Sequence, residues 1–387
     1  MLRDPRGKSQ SPCAHCAAPR RVRRGGVRAQ ELALFHFHPE LRAAFPRHPI
    51  VIGPTPVEAL PLAGLPEGTL FVKHDEQTSA LYGGNKPRKL EFILGAALAR
   101  GSRRLVTTGG LGTHHGLATT ILGRAAGLAT TLVLVMQPVT AEVQRSLLLH
   151  AAWGAELRWG RNVPGAAAQV LRSLALATLR GERPVLVPTG GSSPRGQLGF
   201  VSAAFELALQ VRAGELPEPS EIWVAVGSGG TLAGLVAGLA LAGLRSRVVG
   251  VLVTDILPPS PRRLAQMARA TLRELRRAAP GLPQPAIRAS DFDFVRSQLG
   301  PGYGAATDAA RAAVAAAAVH GLELETTYTG KCLAAVIEKA QRGGLRSPVL
   351  FWNTFNAVDV EKHAPAPLDP RALPPALRRF VSQRPVD

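Results

Sequence analysis

Leu81-Tyr-Gly-Gly-Asn-Lys-Pro-Arg-Lys-Leu-Glu91 is the stretch on which the reading of this chain turns. Its two glycines free the backbone, Asn85 is suited to cap a helix, and Pro87 fits a helix's first turn. Lys86 is thereby placed at a helix start beside a Gly-rich turn, with Lys89 three residues on along the same face. Two ammonium groups held close depress each other's pKa, and desolvation depresses it further. A lysine lowered in this way is what a Schiff base to an aldehyde cofactor requires. Taken alone, the motif reads first as two solvated surface lysines beside a helix N-terminus.

Two other segments place small or polar residues where strands open onto helices, and two more carry tyrosines. Val226-Gly-Ser-Gly-Gly-Thr-Leu-Ala-Gly234 follows an apolar strand and precedes an apolar helix. Its amides and the helix N-terminus make a phosphate cradle, the bland alternative being a tight strand–helix turn. It matches neither Gly-x-Gly-x-x-Gly nor the nucleoside-triphosphate loop. Thr108-Gly-Gly-Leu-Gly-Thr-His-His-Gly116 has the same setting and suits an anion such as a carboxylate, with Thr113, His114 and His115 at the rim. Tyr303 lies in Pro-Gly-Tyr-Gly and Tyr328 in Thr326-Thr-Tyr-Thr-Gly-Lys331. A phenol near a lysine-bound cofactor serves as acid, base or ring contact, although singly each tyrosine reads as structural.

Working outward, the chain has 387 residues, enough for one large α/β unit or two lobes. Hydrophobic residues at 46% and charged residues at 19% exclude wholesale disorder. The net charge of +19 suggests a polyanionic partner, but 39 of the 46 basic residues are arginines spread along the chain. Residues 1–30 alone carry eight basic residues against one acid. The helix holding Arg262, Arg263, Arg269, Arg273, Arg276 and Arg277 interleaves them with Leu264, Met267, Leu272 and Leu275, a solvated face over an apolar one. With no nucleic-acid module recognisable, no nucleic-acid partner is expected. Cys13, His15 and Cys16 lack a second ligand pair, so no metal site is expected. No secretory signal and no run long enough to span a bilayer is visible; a cytoplasmic protein without a membrane partner is expected.

Short apolar strands alternate with helices, which implies βαβ units and a mostly parallel sheet. Strands are expected at 70–73, 104–108, 130–135, 184–188, 221–226, 248–253 and 349–352. Helices are expected at 86–100, 115–126, 141–152, 166–179, 196–212, 231–241, 261–279, 307–320 and 331–343. The fold class is α/β, two-lobed, with mostly parallel twisted sheets flanked by helices. Residues 1–48 read as a basic, disordered or loosely packed extension. A larger α/β domain is expected over 49–85 with 196–361 and a smaller one over 86–195. A Pro-rich tail over 362–387 is expected to wrap the surface.

Together these segments resemble pyridoxal 5′-phosphate enzymes of the tryptophan-synthase-β-like fold. The nearest group is the 1-aminocyclopropane-1-carboxylate deaminase/D-cysteine desulfhydrase family. The resemblance runs from about Leu60 to Asn353. It is carried most specifically by Gly83-Gly-Asn-Lys-x-Arg-Lys-Leu-Glu91, with Gly190-Gly-Ser-Ser193, Leu198-Gly-Phe200, Gly227-Ser-Gly-Gly-Thr231, Pro301-Gly-Tyr-Gly304 and Tyr328-Thr-Gly-Lys331 in support.

The resemblance implies that Lys86 bonds to the cofactor and that Lys89 contacts its phosphate, cradled by Gly227, Ser228, Gly229, Gly230 and Thr231. Tyr303 and Tyr328 would line the substrate side, Thr113 would hold the substrate carboxylate, and Thr329 would face the pyridine nitrogen. In the family that last position is Glu in cyclopropane deaminases and Thr in D-cysteine desulfhydrases. A hydroxyl leaves the nitrogen neutral and the electron sink weaker, which favours β-elimination of a D-cysteine-like amino acid to a 2-oxo acid and ammonia. The rivals are a cyclopropane-carboxylate deaminase and a cofactor-binding protein with altered catalysis. Two segments depart from the family. Gly112-Thr-His-His115 replaces Gln-Ser-Asn-His, so His114 stands where Asn touches the cofactor's 3′ oxygen. Thr354-Phe-Asn356 replaces Thr-Gly-Gly and brings a bulky ring towards an open site. A small amino-acid substrate and a homodimer are further expectations.

Overall fold

The computed structural model describes residues 31–256 and 258–385. The chain begins with α1 (Ala33–Phe37), α2 (Leu41–Ala44), β1 (Val57–Ala59), β2 (Leu70–His74) and α3 (Asn85–Ala99). There follow β3 (Arg104–Gly110), α4 (His114–Ala125), β4 (Ala129–Val135), α5 (Ala141–Ala152), β5 (Glu156–Arg161), α6 (Val163–Leu179) and β6 (Val185–Leu186). Next come α7 (Pro194–Arg212), β7 (Glu221–Val226), α8 (Gly230–Ala242), β8 (Arg247–Leu252), α9 (Pro261–Ala278) and β9 (Asp293–Val295). The last elements are α10 (Asp308–Ala318), α11 (Thr329–Gln341), β10 (Val349–Asn353) and α12 (Pro375–Ser382).

Two sheets organise these elements. One has six strands in the order β1-β2-β10-β7-β8-β9, and the other has four in the order β5-β4-β3-β6. Every pairing is parallel except β1 with β2. The central strands β7 and β10 are buried at every residue, as parallel strands covered on both faces must be. Helix α8 is apolar and buried almost all round because it is packed between α7 and α9. Local chemistry sets where helices begin. Thr113, Thr140, Asn162, Ser193, Ser260 and Thr307 each accept an N–H at a helix start, and α6, α7 and α9 add proline in the first turn.

The expected order of strands and helices is present, with three additional strands. β1 and β9 have three residues each, too few to show a period, and both lie at a sheet edge. β5 reads Glu-Leu-Arg-Trp-Gly-Arg, and its charges suit an edge strand. The strand expected at 184–188 shrinks to Val185–Leu186, since the flanking Pro184 and Pro188 donate no ladder bond.

The loose packing expected over 1–48 does not extend to 31–48. Leu34, Phe35, Leu41 and Phe45 are buried in the core beside α7. Residues 1–30, with Cys13, His15 and Cys16, lie outside the described residues. Residues 362–385 are mostly exposed, but Leu373, Leu377 and Phe380 are buried against Leu147 and Leu157. In α9, Leu264, Leu272 and Leu275 face the core as the interleaving implies. Among the described residues, no helix is long and apolar enough to cross a membrane.

Candidate active site

The loop before α3 is wedged between the ends of β2 and β10. Gly84 has φ +79°, its N–H donates to Asp75 O at 2.8 Å, and a Cβ there would lie 2.4 Å from Thr354 O and 2.6 Å from Phe355 O. Glycine therefore fits this position on both conformation and space. The Gly83 N–H donates to Asn356 Oδ1 at 2.5 Å. Thr354–Asn356 thus meets the turn through backbone carbonyls and the Asn356 amide.

Helix α3 then directs its first turns inward. Lys86 Nζ donates to Asn85 Oδ1 at 2.6 Å, and Asn85 Nδ2 donates to Thr231 Oγ1 at 3.2 Å. Asn85 is therefore the first helical residue rather than the cap, which is Gly84, and its amide links Lys86 to the 227–231 loop. Burial lowers the Lys86 pKa to about 8, against an opposing pull from Glu325. Lys89 is buried, donates to Gly190 O at 3.0 Å, and lies 5.8 Å from the centre of the Phe200 ring. Burial, and then the Lys86 charge, push its pKa well below the ordinary lysine value. These are not solvated surface lysines. Neither has a carboxylate within ion-pair distance among the described residues.

Between them, Arg88 points the other way into a buried brace. It donates to both oxygens of Asp75, at 2.7 and 2.8 Å, and to both of Glu206, at 3.0 Å each. Lys73 Nζ donates to Glu206 at 2.6 Å and Trp352 Nε1 to Asp75 at 2.7 Å. The brace ties α3 to β2, β10 and α7, and its two cations balance its two carboxylates.

The loop after β7 meets the turn whose Gly190 carbonyl accepts from Lys89. Ser192 Oγ and Ser228 Oγ are 2.7 Å apart, and a Cβ on Gly230 would lie 2.4 Å from Ser192 Oγ. The Gly190–Ser193 turn and the Gly227–Thr231 loop thus face each other at the N-terminus of α8, whose first amides have no partner within the helix.

Thr113 caps α4, its Oγ1 accepting the Gly116 N–H at 3.2 Å, which leaves the hydroxyl proton free to donate. His114 does not reach towards Lys86. Its Nε2 lies 3.5 Å from Glu142 Oε1, and its carbonyl accepts from Tyr82 Oη at 3.1 Å. His115 is buried with Nε2 at 3.0 Å from Thr107 Oγ1, while Nδ1 has no partner among the described residues. Burial, reinforced by Lys86 and Lys89, lowers its pKa to about 3, so it is neutral.

Tyr303 and Tyr328 share a 2.7 Å hydrogen bond between their hydroxyls. Burial raises the pKa of both phenols, so both stay protonated. The Tyr303 loop is held by its N–H to Asp255 Oδ1 at 3.0 Å and by Lys331 Nζ to Leu299 O at 2.7 Å. Lys331 therefore supports a loop. Thr329 Oγ1 accepts the Glu325 N–H at 3.1 Å and lies 3.2 Å from Glu325 Oε1. The Glu325 carboxylate accepts the N–H groups of Thr327, Tyr328 and Thr329 at 2.6, 2.8 and 2.8 Å.

Sequence reasoning missed Glu325, Asn85 as a linker, and the Asp75–Arg88–Glu206 brace. Glu325 had a signal, an acid four residues before a helix start. The brace had none, because its members lie far apart in sequence.

These residues fit a phosphate-bearing aldehyde. Among the described residues the Lys86 and Lys89 ammonium groups lack a carboxylate partner, glycine stands at Gly230 against Ser192, and a hydroxyl stands at Thr329. The comparisons agree. The chain is 32% identical over 328 residues to a putative 1-aminocyclopropane-1-carboxylate deaminase of Pyrococcus abyssi, covering 82% of this chain and 94% of that protein. It is 30% identical over 322 residues to a D-cysteine desulfhydrase of Salmonella paratyphi A, covering 81% and 94%. The crystal structure of an ACC deaminase homologue matches 85% of this chain and 96% of its own, with TM-score 0.68 and 26% identity. The family profile described as pyridoxal-phosphate dependent enzyme matches residues 49–354, and the chain belongs to that family.

Proposed function

We propose that this enzyme catalyses β-elimination on a small amino acid of the D-cysteine type, which with one water gives a 2-oxo acid, ammonia and the protonated leaving group. The observation that carries the reading is Thr329, a hydroxyl rather than a carboxylate at the head of α11, in a chain that otherwise keeps the lysine pair and the glycine cradle. Pyridoxal phosphate, when bound, supplies a sink for the electron pair left at Cα.

Lys86 would hold the cofactor, and its lowered pKa lets Nζ accept the Cα proton and pass a proton on to Cβ of the product. Lys89 and the amides of Gly227–Thr231 would bind the phosphate. Thr113 Oγ1 and the first amides of α4 would bind the substrate carboxylate. The Tyr303–Tyr328 pair, both protonated, would serve the departing group as a proton donor. Thr329 would meet the pyridine nitrogen through its hydroxyl.

The test is release of 2-oxo acid from D-cysteine, L-cysteine and other β-substituted amino acids by purified, cofactor-loaded protein. Release from a β-substituted substrate supports the assignment, and no release from any of them overturns it. Lys86→Ala should lose the cofactor's absorption band. A second reading, deamination of a cyclopropane amino acid, is favoured by the Glu325 carboxylate 3.2 Å behind the Thr329 hydroxyl. That carboxylate supports a stronger sink than a hydroxyl alone. 1-Aminocyclopropane-1-carboxylate belongs in the same panel.

A further inference from the structure

A cavity lies between the starts of α4 and α5 and the two tyrosines, lined by Gly112, His114, Gln137, Glu142, Tyr303 and Tyr328 among others. It contains no lysine or arginine, and Glu142 is its single carboxylate. Glu142 stands in the first turn of α5 with its side chain 62% exposed. Among the described residues it makes one ion-pair contact, with His114 Nε2 at 3.5 Å. The His114 contact, with the Arg145 charge adding to it, outweighs burial and holds the Glu142 carboxyl below its ordinary range, so it is ionised at neutral pH. A single long contact leaves most of the carboxylate's acceptor sites open to whatever enters the cavity.

His114 directly follows Thr113. An amino acid whose carboxylate sits at Thr113 and the α4 amides therefore has its side chain within reach of the cavity that begins one residue further on. Apart from Glu142 and the His114 imidazole paired with it, the groups lining the cavity are phenols, hydroxyls, one amide and apolar or glycine residues. These discriminate weakly between a thiol and a methyl group. Glu142 discriminates sharply, since it gains a charge-assisted bond from a cation and repels a second carboxylate.

We infer that Glu142, positioned by His114, is the specificity-determining residue, selecting amino acids whose side chain carries a cationic donor such as a β-ammonium group. This rests on the amino-acid reading of the site given above and narrows its substrate class. The position departs from the thiol-bearing substrate type through this chain's own replacement, His114, and the partner it finds in space.

The experiment compares 2,3-diaminopropionate with 2-aminobutyrate, which puts a methyl group in place of the ammonium. Both enantiomers are titrated into the cofactor-loaded protein, and Kd is read from the change in cofactor absorption. The wild type is expected to favour the diamine by about fivefold or more, between an exposed ion pair and a charge-assisted bond. Glu142→Gln should bring the two Kd values to within about twofold of each other by weakening only the diamine, and Glu142→Asp should retain part of the preference. Equal binding of the isosteres by loaded wild-type protein overturns this inference alone, as does a Glu142→Gln variant that keeps the full preference. A protein that takes up no cofactor, or loaded protein that binds no amino acid, overturns the underlying reading and this inference with it.

Discussion

Arg88 and Glu206, 118 residues apart, meet in two hydrogen bonds of 3.0 Å each, Nη1 to Oε2 and Nη2 to Oε1. This contact sets where α3 lies, because Arg88 is flanked by Pro87 and Lys89 and stands two residues from Lys86. Lys86 meets Asn85 and Lys89 meets the Gly190 carbonyl while Arg88 meets the brace, so the one helix turn both positions the Lys86 amine and anchors it. Arg88→Met would leave Asp75 and Glu206 buried with only part of their charge compensated. The expected loss of stability is roughly 3–5 kcal/mol, read as a lower urea midpoint. Arg88→Lys should recover little of it, since an ammonium cannot reproduce the paired bonds. Burial works against the Glu206 charge, but Arg88 and Lys73 prevail and hold its pKa well below the ordinary 4.5. Its stabilising contribution is therefore complete above that pH and is lost as pH falls towards the lowered folded value.

The Lys86 amine has a pKa of about 8 against an ordinary 10.5, because it is buried. Bonding to an aldehyde needs the neutral amine. The rate at which cofactor-free protein takes up pyridoxal phosphate should therefore climb about tenfold per pH unit below 8 and level off above it, as followed by absorption. For stability the sign is set by a folded pKa lying below the unfolded one. The unfolded chain binds more protons between about 8 and 10.5, so stability rises with pH across that window. Lys86→Met should accordingly raise the melting temperature of cofactor-free protein at neutral pH while removing cofactor bonding.

Gly230→Ala puts a methyl group 2.4 Å from Ser192 Oγ, in the space between the two loops. The serine must shift, and the amides at the head of α8 shift with it. Retention of pyridoxal phosphate through dialysis should fall, with an affinity loss of at least about tenfold, or ~1.4 kcal/mol. Inorganic phosphate binding to cofactor-free protein should weaken in parallel, whereas the far-ultraviolet spectrum should not change.

Glu325 has two tasks that a pair of variants separates. Its carboxylate accepts three backbone N–H groups and also reaches the Thr329 hydroxyl. Glu325→Ala removes both and should destabilise the protein by about 0.5–2 kcal/mol, the usual loss for a helix cap. Glu325→Gln keeps an acceptor for the amides but removes the charge. It should preserve most of the stability while shifting the pH dependence of the bound cofactor's absorption. Equal spectra for the wild type and Glu325→Gln would show that the carboxylate does not act on the ring through Thr329.

The alternation of strands and helices, the placing of Gly83–Glu91 and Val226–Gly234 at their junctions, and the shared helix face of Lys86 and Lys89 were legible in the residue order. Each follows from local chemistry: apolar strand runs, glycine and proline at turns, and side chains three residues apart sharing a helix face. The residue order also makes plain that lysine is rare among the arginines. Which charges find partners is set by the three-dimensional fold. Arg88 finds Asp75 and Glu206, Lys89 finds a carbonyl and no carboxylate, and His114 turns to Glu142 rather than to Lys86. It alone buried Leu34 and Leu41 of a segment whose basic neighbours suggested a loose extension, and revealed the edge strands β1, β5 and β9. The reason is the same in each case. A side chain's propensity is a property of its neighbours in sequence, whereas its counter-ion, its burial and its strand partner come from distant residues that only the folded chain brings together.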